Sequence, residues 1–184
     1  MTFIDILQAY FRGERIEAFF YILPAGLLLI GMGITALVSD RGAFGWSMAI
    51  PLLLFGLIAA GTGLQVGTRT ASQVAALEAQ YAQNPAQMLA TEIPRMEKVN
   101  ANWPIYLTTW AALVVIGLVI RFASSSDWAH GLGPALILVG AIGFLIDGFA
   151  ERRARPYTEA LTQLAAAHES EHRPSANPDQ LPFD

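Results

Sequence analysis

The sequence predicts an all-α membrane protein: a four-helix transmembrane bundle, built as two helical hairpins, with cytoplasmic amphipathic helices attached. Three observations predict it. The stretch Gly42 to Thr68, GAFGWSMAIPLLLFGLIAAGTGLQVGT, carries no formal charge over its 27 residues. A helix rising about 1.5 Å per residue needs about 20 apolar residues to cross a bilayer core, so this stretch spans with tilt to spare. Three more apolar stretches of spanning length stand beside it, opening near Ala18, Pro104 and Trp128. The composition agrees: 54% of residues are hydrophobic and only 14% charged, against about 25% charged in soluble domains, and the mean hydropathy is +0.43.

Residues 1–15 hold an apolar stripe at helical period, Phe3, Ile4, Leu7, Tyr10 and Phe11, with Asp5, Gln8 and Arg12 off it. The stripe predicts a short amphipathic helix lying in the membrane interface, with Gly13 as its break. An extension of the first span is the alternative.

The first transmembrane hairpin covers 16–68. Its first span runs from about Ala18 to Val38, too long and too poor in small-residue cleavage signals for a secretory leader. Pro24 predicts a bend, since a proline inside a helix removes a hydrogen bond and crowds the preceding turn. A turn at Ser39 to Gly42 leads into the second span, Phe44 to Gly67. Gly56, Gly61, Gly63 and Gly67 punctuate that span, and the Gly63 to Gly67 spacing lets helix backbones approach closely. These four glycines are candidates for a partner-docking face, with packing inside the chain as the alternative.

The interval 69–103 repeats Val74, Leu77 and Tyr81 along one face. The second span is expected to continue through it as one long helix until Asn84 and Pro85 stop it. A second segment, Ala86 to Val99, is interrupted by Pro94, and its Glu92, Arg95, Glu97 and Lys98 read as a solvated face.

The second hairpin covers 104–150, with spans from Pro104 to Ile120 and from Trp128 to Ile146. Trp103 is expected in one aromatic belt, and Trp46 and Trp128 in the other. Residues 151–184 open with Glu151, Arg152, Arg153 and Arg155. The stripe Tyr157, Ala160, Leu161, Leu164, Ala165 predicts an amphipathic helix to about His168, followed by a disordered polar tail.

With four spans, both termini and the middle interval share a side. That side holds Arg12, Arg15, Arg69, Arg95, Lys98, Arg152, Arg153, Arg155 and Arg173, and the other holds Arg41 and Arg121. The excess predicts an inner-membrane protein with cytoplasmic termini. The halves align weakly at an offset near 85, pairing Gly31 with Gly117, Gly56 with Gly140 and Leu77 with Leu161, as a parallel repeat would.

No cysteine is present, which removes disulfides, thiolate metal sites and dithiol redox chemistry. No phosphate-binding loop, nucleophile elbow or zinc-protease motif appears, and no basic patch fit for nucleic acid, so neither an enzyme nor a cofactor is expected. The candidate ionisable groups are Glu17 and Asp147, one at the start of the first span and one at the end of the fourth. Carboxylates at membrane depth point to ion or proton handling, and an ion pair of Asp147 with Arg152 or Arg153 is the structural alternative.

Function is therefore expected to be interaction: with the bilayer, with another membrane protein or a membrane-inserted toxin, or with a second copy. In size, span number and placement of termini the chain is similar to bacterial immunity proteins that protect against pore-forming toxins. That resemblance implies that the glycine face of the second span binds the toxin's helices. The alternatives are a small transporter or channel subunit that uses Asp147 and Glu17, and an assembly subunit of a larger complex.

Overall fold

A computed structural model describes residues 2–172, with side chains to Ser170. The tail expected to be disordered after His168 begins instead as helix, through His172, and the rest of it, from Arg173 on, lies outside the described residues. The fold is all-α, with four long rods: α1 (Phe3–Glu17) joined by one π-helical turn (Ala18–Ile22) to α2 (Leu23–Ser39), then α3 (Ala43–Gln83), α4 (Pro85–Ala123) and α5 (Asp127–His172). All four are long and apolar enough to cross a membrane.

The first rod does not break at Gly13. Its irregularity comes one turn later, where the Leu23 N–H bonds the Ala18 carbonyl across the wide π turn. Pro24 explains the position, because it has no N–H for the carbonyl four residues back and its ring crowds that turn. Gly63 of α3 backs onto the same turn, where a Cβ would lie 2.7 Å from the Leu23 nitrogen and 2.8 Å from the Ala18 oxygen.

The stripe on α1 faces protein and not lipid. Leu7, Tyr10 and Phe11 are buried with Leu77, Met88, Leu89, Met96, Ala154, Tyr157 and Leu161, so α1 and the ends of α3, α4 and α5 share one core. Tyr10 stacks on Tyr157 with ring centroids 4.6 Å apart. We call this end the headpiece. α3 reaches it as expected, continuous from the second span to Gln83, and Asn84 caps the next helix by accepting the Gln87 N–H at 3.0 Å. α4 then runs through Pro94 and Pro104 without a break.

In the spanning half, α2 packs on α3, α4 on α5, and α3 on α5. Glycines set these crossings through space and not through backbone freedom, for none of those described has a positive φ. The contacts repeat. A Cβ on Gly56 would lie 2.9 Å from the Gly26 oxygen and meet Ile30, and one on Gly140 would lie 2.7 Å from the Trp110 oxygen and meet Val114. Likewise Gly33 faces Ala49 and Leu53, while Gly117 faces Gly133 and Ile137. Every one of these pairs is 84 residues apart, as Gly56 is from Gly140. The connecting turns follow suit: Asp40 accepts the Gly42 N–H, and Ser124 accepts the Ser126 N–H.

The two hairpins are thus structural repeats in parallel orientation. Gly31, where a Cβ would meet nothing within 4 Å, is not the counterpart of Gly117; Gly33 is. Before the π turn the register is 85, matching Leu7 with Glu92 and Phe11 with Met96, all four buried. A π turn holds one residue more than the α-helical path, which accounts for the difference.

Candidate functional site

The charged side chains gather where the spans enter the headpiece. Tyr10, Glu14 and Glu17 of α1, Arg69 of α3, Arg95 and Trp103 of α4, and Asp147 and Arg153 of α5 line a cavity of about 190 Å³. Arg69 and Arg153 are repeat counterparts, so the cavity lies between the two halves. The acids break the repeat: at the α4 counterparts of Glu14 and Glu17 the chain has Val99 and Asn102.

Glu17 is held by Arg153 at 2.5 Å, and both are largely buried. Gly13 makes room for this pair, since a Cβ there would lie 2.5 Å from the Arg153 Cδ. The Arg153 guanidinium also sits 5.9 Å from the centre of the Tyr10 ring. Glu14 lies 3.9 Å from Arg69. Burial pushes the Glu14 carboxyl above its ordinary pKa, and Arg69, Arg153 and Arg95 pull it back only in part.

Asp147 takes neither Arg152 nor Arg153 as partner. Its Oδ2 accepts the Trp110 indole hydrogen at 2.6 Å, across the α4–α5 crossing. Sequence reasoning missed Trp110 because 37 residues separate the two and only the hairpin brings them together. Glu17 and Asp147 do meet one cavity, yet each has its own partner.

Three polar atoms at this level are buried and bonded to no protein group: Glu14 Oε2, Trp103 Nε1 and Arg153 Nε. Trp103 was expected in an aromatic belt, but it lines the cavity, whereas Trp46 and Trp128 at the far end are half exposed.

Glu92 corrects a second expectation, for it is 3% exposed and not on a solvated face. Its carboxylate accepts two hydrogen bonds from Arg95, at 2.7 and 2.5 Å, and one from the Tyr157 hydroxyl at 2.8 Å. The spacing Met88, Leu89, Glu92, Met96 places Glu92 on an apolar helical stripe, and that signal was available in the sequence. Arg155 pairs with Glu151 at 2.7 Å on the surface, and Arg12, Arg15 and Arg152 are exposed.

The four candidate glycines divide. Gly56 lies against Gly26, Gly63 against the π turn and Gly67 against the Phe19 ring, so these three are occupied within the chain and present no docking face. Gly61 alone has open space around it.

Comparison with protein-family models, with curated proteins and with solved structures finds no match.

Proposed function

We propose that the protein is a non-catalytic interaction protein of the bacterial inner membrane, with both termini in the cytoplasm and the headpiece as its docking platform. The observation that carries the reading is the headpiece itself: the spans continue as a folded unit around Leu7, Phe11, Met88, Met96, Tyr157 and Leu161. A rigid helical head on a close-packed anchor suits a partner better than a substrate. The partner is another membrane protein, and the immunity-protein form of the reading now asks a toxin to meet Gly61 and the outer helix faces, because Gly56, Gly63 and Gly67 are covered.

The test is copurification from native membranes in a mild detergent, with mass spectrometry of what stays bound. One near-stoichiometric protein supports the reading, and its identity separates a toxin from a complex subunit. A clean monomer or homo-oligomer removes it. The absence of cysteine makes the sidedness easy to check: single cysteines at Gln8 and Ser125 are expected to react from opposite faces of the membrane.

A second reading, proton or cation coupling, is favoured by Glu17 and Asp147 lining one polar cavity. It expects Asp147→Asn to abolish flux in liposomes while the protein still inserts, and unchanged flux would eliminate it.

A further inference from the structure

The Glu17–Arg153 ion pair is a wall between two spaces. On one side is the polar cavity, and on the other a groove of about 710 Å³ between α1–α2 and α5. Glu17, Ile146 and Arg153 line both. The groove has Phe20 and Leu28 on one side and Leu145 and Phe149 on the other, so its body is apolar and one end is charged. Phe20, Leu28, Leu145 and Phe149 are all more than half exposed, so the groove opens sideways at the depth of the spans.

The repeat makes the groove distinctive. The counterparts of Leu145, Ile146 and Phe149 on α3 are Gly61, Thr62 and Gln65, so the wall that is apolar on α5 is small and polar on α3. Only the first half carries the π turn and the acids of α1 that shape the other wall.

The charge at the closed end selects the occupant. Glu17 engages a terminal nitrogen of Arg153, and the Nε of Arg153 has no protein partner. Arg12 and Arg152, each next in sequence to a residue lining the groove, are exposed. Arg153 is thus the guanidinium at the charged end of an apolar slot, paired with one carboxylate, and an exposed arginine adjoins each wall in sequence. Basic positions at a membrane surface attract anionic lipid, and pockets between spanning helices take its head groups.

We propose that this groove binds an anionic membrane phospholipid. Its acyl chain lies between Phe20 and Leu28 of the first rod and Leu145 and Phe149 of α5, and its phosphate lies against Arg153.

The experiment uses the full chain in nanodiscs of equal phosphatidylglycerol and phosphatidylcholine, released and weighed by native mass spectrometry. The wild type is expected to retain one phosphatidylglycerol over phosphatidylcholine by about fivefold or more. Leu145→Trp, which narrows the groove from an exposed position, is expected to lose that lipid, and Arg153→Gln to lose the preference between the two. Ala25→Phe narrows the opposite wall and serves should Leu145→Trp fail to fold. Retention without preference in the wild type, undiminished retention in the narrowed variant, or a protein helix found in the groove would each overturn the proposal.

Discussion

Arg69 and Arg153 occupy the same place in the two halves of the chain and line the same cavity, but they are held differently. Arg153 is 2.5 Å from Glu17 with its side chain 22% exposed, whereas Arg69 is 3.9 Å from Glu14 and 53% exposed. The cause lies in α1, which supplies both acids while α4 supplies none in the matching positions. The repeat fixes where the arginines stand, and the departure from it fixes what they do.

Their removal should therefore differ in effect. Arg153→Ala strands a largely buried Glu17 carboxylate, and uncompensated buried charge is expensive, so a loss of about 2 kcal/mol or more is expected. Arg69→Ala breaks a longer contact, made to the largely buried Glu14 by an arginine that is itself half exposed, and is expected to cost less than Arg153→Ala does. Denaturant unfolding of both variants in the same lipid-free micelles measures the difference, and equal losses would refute the assignment.

The glycines give a sharper contrast. A leucine at Gly56 must displace the backbone of α2 at Gly26, and overpacking of this kind typically costs about 1–3 kcal/mol. Gly61→Leu meets open space and is expected to leave the thermal midpoint in detergent within a degree or two of wild type, as surface changes do. Should Gly61→Leu also abolish copurification of a partner, that loss reports binding and not folding.

In the headpiece, Glu92 joins α4 to α5 through the Tyr157 hydroxyl. Tyr157→Phe removes one of the three hydrogen bonds that Glu92 accepts and is expected to cost about 1 kcal/mol. Glu92→Leu leaves the Tyr157 hydroxyl buried without an acceptor, and a cost of about 1–3 kcal/mol is expected. A double-mutant cycle over the two substitutions should give a coupling near that of the single hydrogen bond.

Much of the fold was legible because two rules are strong in a membrane. Uncharged runs of spanning length must be helices, and the Asn84–Pro85 stop is local chemistry. The repeat was visible as a faint offset, but the true partner of Gly117 is Gly33 and not Gly31, and a composition rich in leucine and glycine hides a shift of two residues. The site was less legible. Glu17 and Asp147 stood out as charges beside apolar runs, but Trp110 and Trp103 look like lipid-facing aromatics until the hairpins cross. An amphipathic helix at a chain terminus has the same pattern whether it lies on lipid or on protein, so Leu7 and Phe11 could not reveal which.

Glu14 carries a pH dependence that follows from its burial. Its carboxyl is raised above the ordinary 4.5 first by desolvation, with Arg69, Arg153 and Arg95 opposing and Glu92 adding a little. A carboxyl whose pKa is higher in the folded state than in the unfolded one binds its proton more tightly when folded. The ionised form therefore weakens the fold, and that penalty is relieved as pH falls through the folded value toward 4.5. Glu14→Gln keeps the shape and removes the charge. It is expected to raise the thermal midpoint in detergent at pH 7, and the gain over wild type should shrink as the pH is lowered to 5. A gain that stays constant with pH would mean that the amide acts by hydrogen bonding alone, and a loss at pH 7 would mean that the arginines outweigh burial.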